Sequence, residues 1–104
     1  MLIGIPKEIK NHEYRVGATP ELVGLLVQAG HQVLVETNAG RAIGYTDSMY
    51  TEMGADVVKS AQDIWDCEMV IKVKEPQHNE CNLMHKGLIL FCFLHLSAEP
   101  KLTQ

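Results

Sequence analysis

Three apolar runs of this chain each lead towards a residue able to hold or protonate a small anion. Leu2-Ile3-Gly4-Ile5 leads into Pro6-Lys7-Glu8 and then Arg15. Met69-Val70-Ile71-Lys72-Val73 leads into Lys74-Glu75-Pro76, and Leu88-Ile89-Leu90-Phe91-Cys92-Phe93-Leu94 into His95. As parallel strands of one sheet, these runs would gather Arg15, Lys74 and His95 at its carboxyl edge, where open α/β sheets bind ligands. Two fixed cations and an imidazole there suit a small carboxylate and an acid–base step.

Each of these residues also has a plainer reading. Arg15 is either a two-pronged carboxylate clamp or a solvated loop arginine paired with Glu13. Lys72 and Lys74 share a strand parity and so face one side. A lysine inside an apolar strand needs a partner or a function, and Lys72 reads as snorkelling or salt-bridged. Lys74 stands last, beside the ligand-binding edge. An imidazole titrates near neutrality, so His95 is either a proton donor or a strand-end cap. His12, His31, His78 and His85 have no evident partner and read as surface residues.

Other chemistries find little support. Gly4, Gly40 and Gly44 do not form the G-x-G-x-x-G fingerprint of a dinucleotide site, and neither a Walker loop nor a G-x-S-x-G elbow is present, so no cofactor-binding residue is assigned. Cys67, Cys81 and Cys92 are odd in number and contain no CxxC, which suits reduced thiols in a cytosolic protein. The pairs Cys81–His85 and Cys92–His95 are too few in ligands for a zinc site, so no metal is expected.

The elements that must position the candidates follow from patterning. Thr19-Pro20-Glu21 is a helix start, with a threonine cap, proline in the first turn and an early acid. Leu22, Val23, Leu25, Leu26 and Ala29 give that helix an apolar face, and Gly30 ends it. Val33-Leu34-Val35 is a second strand, and the glycine-containing stretch 37–44 a loop. Asp47 is placed as the cap of a short helix carrying Met49, Tyr50 and Met53. Asp56-Val57-Val58 is a third strand, and Ser60-Ala61-Gln62-Asp63 caps a helix with Ile64 and Trp65. Met69–Val73 and Leu88–Leu94 are the fourth and fifth strands, separated by a short helix between Asn79 and His85. Alternating strands and helices imply right-handed crossovers. The expected fold is α/β: a parallel sheet of about five strands with helices on both faces, in flavodoxin-like order.

Size and charge set outer bounds. The chain has 104 residues, 46% of them hydrophobic and 21% charged, with a formal charge of −4. That is one domain's worth of soluble globular protein. The negative balance disfavours nucleic acid and anionic membrane as partners, and no apolar stretch is long enough to span a bilayer. A secretory leader is not expected, because the chain opens directly on a strand-like run. The fifth strand is followed by a helix-like beginning at Ser97-Ala98-Glu99-Pro100, and then the sequence ends. The last strand is therefore expected to expose apolar surface, as in a piece truncated at its C-terminus.

The opening Ile3-Gly4-Ile5-Pro6-Lys7-Glu8, followed by Glu13-Tyr14-Arg15-Val16 and Thr19-Pro20, resembles the start of alanine dehydrogenases and of the nicotinamide nucleotide transhydrogenase alpha chain. Val35-Glu36-Thr37-Asn38-Ala39-Gly40 and Met53-Gly54-Ala55 extend the resemblance. Lys72-Val73-Lys74-Glu75-Pro76 and His95-Leu96-Ser97-Ala98-Glu99-Pro100 are similar to the alanine dehydrogenase branch, since transhydrogenases typically lack the second lysine and the histidine. The resemblance implies oxidative deamination of L-alanine to pyruvate and ammonia with NAD. It implies that Arg15 and Lys74 hold the substrate carboxylate. It also implies catalytic roles for His95, in proton transfer at the keto oxygen, and for Lys74 near that oxygen. A cytoplasmic homo-oligomer, a hexamer in the family, is implied for the complete enzyme.

The sequence departs from the family in three respects. Asn38 replaces a usual glycine and Gly17 a usual bulkier residue, and neither is expected to touch the chemistry. The third is length, because members carry a Rossmann NAD domain and a catalytic aspartate after this region. Residues 1–104 are thus expected to form only the N-terminal substrate-binding portion, inactive by itself as a dehydrogenase. A transhydrogenase branch, and a non-catalytic module for keto-acid binding or assembly, are the alternatives.

Overall fold

The computed structural model describes residues 1–9, 14–74 and 76–92. Five strands form one sheet: β1 (Leu2–Ile5), β2 (Gln32–Glu36), β3 (Asp56–Val58), β4 (Met69–Lys72) and β5 (Ile89–Cys92). Between them lie α1 (Pro20–Gln28), α2 (Asp47–Glu52), α3 (Ala61–Trp65) and α4 (His78–Cys81), with a single 3₁₀ turn at Arg41–Ile43. Every strand pairing is parallel, as the alternating pattern implies.

The strand order is β3-β2-β1-β4-β5. It corrects the flavodoxin-like expectation, 2-1-3-4-5, by moving β3 from beside β1 to the outer edge. A strand of three residues that opens with the exposed Asp56 suits an edge, where only one neighbour is needed. The continuous apolar Met69-Val70-Ile71 fills the place beside β1 instead, with Gly4 opposite Val70.

Handedness then assigns the helices to faces. The chain steps from β1 to β2 to β3 in one direction, so right-handed crossovers put α1 and α2 on the same face. The next crossover returns across the sheet to β4, which puts α3 on the other face. The core follows that division. Ile3, Ile5, Val33, Val35 and Ile71 pack with Val23 of α1 and Tyr50 of α2. Leu34, Val70 and Leu90 pack with Ile64 and Trp65 of α3. Gly4 marks where α3 crosses β1: a Cβ there would lie 2.7 Å from the Ile64 carbonyl oxygen and 3.1 Å from Cys67 Sγ.

Local capping is mostly where the residue types put it. Thr19 Oγ1 accepts from the Leu22 N–H at 3.1 Å, with Pro20 opening α1, and Ser60 Oγ accepts from the Gln62 N–H at the start of α3. The second helix differs, because its cap is Thr46 and not Asp47. The Asp47 carboxylate turns back to accept from Thr37 Oγ1 at 2.6 Å and the Asn38 N–H at 2.9 Å. Asn38 itself has φ 64°, in the left-handed region that glycine adopts most readily. At β5, Leu88 and Leu90 face the α3 side, while Ile89 and Phe91 are 47% and 52% exposed. That is the exposed apolar surface expected of the last strand.

Candidate carboxylate site at the switch point of the sheet

In this order the chain reverses direction between β1 and β4, and the crevice at their carboxyl ends is the topological switch point where open α/β sheets bind ligands. The segments leaving β1 and β4 meet there through a buried ion pair. Lys72 ends β4 fully buried, its Nζ 2.7 Å from Glu8 Oε1 and 3.4 Å from Glu80 Oε1. Glu8 and Glu80 are themselves only 7% and 4% exposed. Burying one ammonium and two carboxylates is tolerable only if they satisfy one another. Among the described residues no buried polar side-chain atom lacks a partner.

The Glu8 carboxylate does more than neutralise Lys72. Its Oε2 accepts from the Val73 N–H at 3.0 Å and its Oε1 from the Lys74 N–H at 3.4 Å. Lys72 Nζ in turn donates to the Lys74 carbonyl oxygen at 2.9 Å. These bonds replace the ladder that β4 has just left, and they end the strand at Lys72. Lys74 is therefore off the strand, so the parity that would align it with Lys72 does not extend to it. It stands half-buried on a bend whose peptide groups are tied to the ion pair.

Arg15 reaches the same edge from β1. A Cβ at Gly17 would lie 2.3 Å from the Ile71 carbonyl oxygen and 2.8 Å from the Lys72 Cα, so the chain after Arg15 runs directly over the end of β4. That segment is pinned on its far side by Tyr50, whose hydroxyl donates to the Ala18 carbonyl oxygen at 2.7 Å. Burial first, then the neighbouring Tyr45 and Asp47, pushes the Tyr50 hydroxyl up to about 12, which keeps it protonated as the donor this bond needs. Gly17 thus lies against the end of β4, beside the crevice. Arg15 itself is exposed at the edge.

The third candidate, His95, lies outside the described residues. Cys92, three positions before it, is level with Lys72 in the register of β4 and β5. Glu13, the alternative partner of Arg15, also lies outside the described residues, as does His12. Of the histidines read as surface residues, His78 and His85 are exposed and His31 is intermediate. His85 nevertheless has partners, with Nε2 2.8 Å from the Cys67 carbonyl oxygen and Nδ1 3.0 Å from that of Lys86.

Sequence reasoning missed Glu8 and Glu80. One signal pointed to them: a lysine in a buried strand demands a counter-charge, and Glu8 follows the strand that turns out to be adjacent. Among the described residues no group of three His, Cys, Asp or Glu side chains is placed to hold a metal ion.

The chain is similar along its whole length to known proteins. It is 51% identical over all 104 residues to alanine dehydrogenase of Bacillus subtilis strain 168. It is 54% identical over the same span to alanine dehydrogenase 2 of Staphylococcus aureus strain Mu50. The chain spans 28% of the length of each of these curated relatives. Among solved structures, an L-alanine dehydrogenase superposes with a TM-score of 0.88 at 54% identity, over 99% of this chain and 28% of that one. A transhydrogenase from Sinorhizobium meliloti superposes at 0.85 with 27% identity, over 97% of this chain and 30% of that one. With residues 4–104 matching the model of the alanine dehydrogenase/PNT N-terminal domain, the chain belongs to that family.

Proposed function

We propose that residues 1–104 form the substrate side of an alanine dehydrogenase active site. The reaction is the oxidative deamination of L-alanine to pyruvate and ammonia, with water supplying the keto oxygen and NAD accepting the hydride. Arg15 and Lys74 bind the substrate carboxylate, Lys74 also lies near the keto oxygen, and His95 exchanges a proton with that oxygen. The observation that carries the reading is that the segment after Arg15 packs on Ile71 and Lys72, at the end of the strand that leads to Lys74, beside the switch point of the sheet. A guanidinium and an ammonium brought there from two different strands can hold a carboxylate from two directions. The alanine dehydrogenase branch is favoured over the transhydrogenase branch by Lys74 and His95, and by 54% against 27% identity to the solved structures.

NAD does not fit the described residues. A dinucleotide needs a glycine-rich turn after the first strand, opening a helix whose N–H groups face the pyrophosphate. Here residues 6–19 contain one glycine, Gly17, packed on Ile71, and the turn after β1 presents the Glu8 carboxylate. The cofactor's site is therefore assigned outside the described residues. No described helix is long and apolar enough to cross a membrane. A cytoplasmic, homo-oligomeric enzyme goes with the proposal.

The test is a titration of the ¹⁵N-labelled protein with pyruvate, followed by amide shifts. The expected result is saturable shifts around residues 15–18 and 73–74, lost in Lys74→Ala. No saturable shift, or equal binding by Lys74→Ala, would overturn the assignment.

A further inference from the structure

Lys74 is the residue on which the proposed carboxylate site turns, and it lies two residues past the end of β4, on a bend. We propose that Glu8 and Lys72 are positioning residues for Lys74, an inference that rests on the carboxylate-binding reading of that lysine. Both peptide groups that flank the Lys74 Cα are held by this one ion pair: its N–H faces Glu8 Oε1 at 3.4 Å, and its carbonyl oxygen accepts from Lys72 Nζ at 2.9 Å. The preceding N–H, of Val73, is held by the other Glu8 oxygen at 3.0 Å. Glu8 belongs to the segment leaving β1 and Lys72 to β4, so the pair also fixes the width of the switch-point crevice.

The division of labour has a chemical reason. A carboxylate accepts several hydrogen bonds at once and an ammonium donates several, so the pair can satisfy peptide donors and acceptors that a strand end leaves open. Glu80 extends the network to α4. Its Oε1 faces Lys72 and accepts from the Gln77 N–H at 2.8 Å, which ties the turn after Pro76 to the same ammonium. The Lys74 bend is thus held from the sheet on one side and from α4 on the other. Its side chain therefore extends from a fixed root.

The pyruvate titration tests this with Glu8→Gln, which keeps the shape and removes the charge. The expected result is pyruvate binding weaker by about tenfold or more, the scale on which orienting partners act. Altered amide shifts at Val73 and Lys74 should accompany it. A Val33→Ala variant, trimmed in the core away from the crevice, should bind as the unaltered protein does at equal folded fraction, because a purely structural role would weaken both alike. If Glu8→Gln does not fold, Glu8→Asp is read in its place, since it keeps the charge and withdraws the carboxylate by one methylene. Undiminished binding by the Glu8 variant, with Lys74→Ala inactive in binding, would overturn the positioning role alone. Equal weakening by Val33→Ala would do the same. No binding by the unaltered protein would overturn the site reading and the positioning role with it.

Discussion

Replacing Lys72 by methionine removes one buried ammonium and leaves the shape of the side chain nearly intact. Two carboxylates then remain, Glu8 at 7% and Glu80 at 4% exposure, with no cation between them. At an effective dielectric constant of about 20, a charge pair at 2.7 Å attracts by about 6 kcal/mol, and one at 3.4 Å by about 5 kcal/mol. Much of that attraction is offset in the intact protein by the cost of desolvating the three ions. Removing one member exposes the cost without the attraction, and for buried pairs the loss is about 3–5 kcal/mol. A domain of this size is stable by about 5–15 kcal/mol, so Lys72→Met should remove about a fifth or more of it. With a urea slope of about 1.5 kcal/mol/M, the unfolding midpoint should fall by about 2–3 M. The double variant with Glu8→Gln removes one of the two orphaned charges and should recover about 1–3 kcal/mol relative to additivity. The assay is equilibrium urea unfolding of the four proteins, followed by Trp65 fluorescence and far-UV circular dichroism. A loss below about 1 kcal/mol in Lys72→Met, or single effects that add to within about 0.5 kcal/mol, would refute the buried network as the brace of this edge.

Two further outcomes follow from groups away from the crevice. Burial, helped by the neighbouring Asp66 and Asp63 carboxylates, pushes the Cys67 thiol up to about 11, and its Sγ contacts the Asp63 carbonyl oxygen. At pH 8 the exposed Cys81 should react promptly with a thiol reagent while Cys67 reacts only as the protein unfolds, checked by mass spectrometry of the labelled peptides; prompt labelling of native Cys67 would contradict its burial. Both ring nitrogens of His85 face carbonyl oxygens, Cys67 foremost and then Lys86, which favours the doubly protonated ring and raises its pKa above the ordinary 6.5. The stabilisation is fully present below about pH 6.5, where the unfolded chain is also protonated, and is lost as pH rises through the folded value. A ring-proton NMR titration should place His85 above 6.5, and His85→Asn should flatten that part of the melting temperature's pH dependence; titration at or below 6.5 would remove the basis of both expectations.

Much of the fold was legible because it is written locally. Thr19-Pro20-Glu21 and Ser60-Ala61-Gln62-Asp63 carry their own capping chemistry, and the helices begin where those residues say. The strand order was not legible, because it depends on which strand β4 and β3 find as neighbours. Asp56-Val57-Val58 reads as a strand in either arrangement, and only its brevity hints at an edge. Asp47 was read as a cap by its type. In the fold it bonds to residues 37 and 38, ten and nine positions back, and leaves the cap to Thr46. The site divided in the same way. Lys72 announced that it needed a partner, but that partner stands 64 residues earlier, and a distance of that kind is set by the sheet and not by spacing.

The buried pair also bears on why a lysine stands at the end of β4 at all. Well-packed apolar residues in place of a buried ion pair are commonly neutral or stabilising, so packing alone does not call for charge there. What an apolar pair cannot do is accept from two peptide N–H groups and donate to a peptide carbonyl. Glu8 and Lys72 do all three within two residues of the strand end. A strand that stops at a switch point needs such partners, because the crevice that admits a ligand is the place where the next strand's hydrogen bonds are missing. With Gly17 bringing the Arg15 segment onto the same strand end, the crevice has one wall fixed by charge and the other by close backbone contact. The ion pair is therefore better understood as the support of the proposed ligand-binding edge than as a contribution to the core.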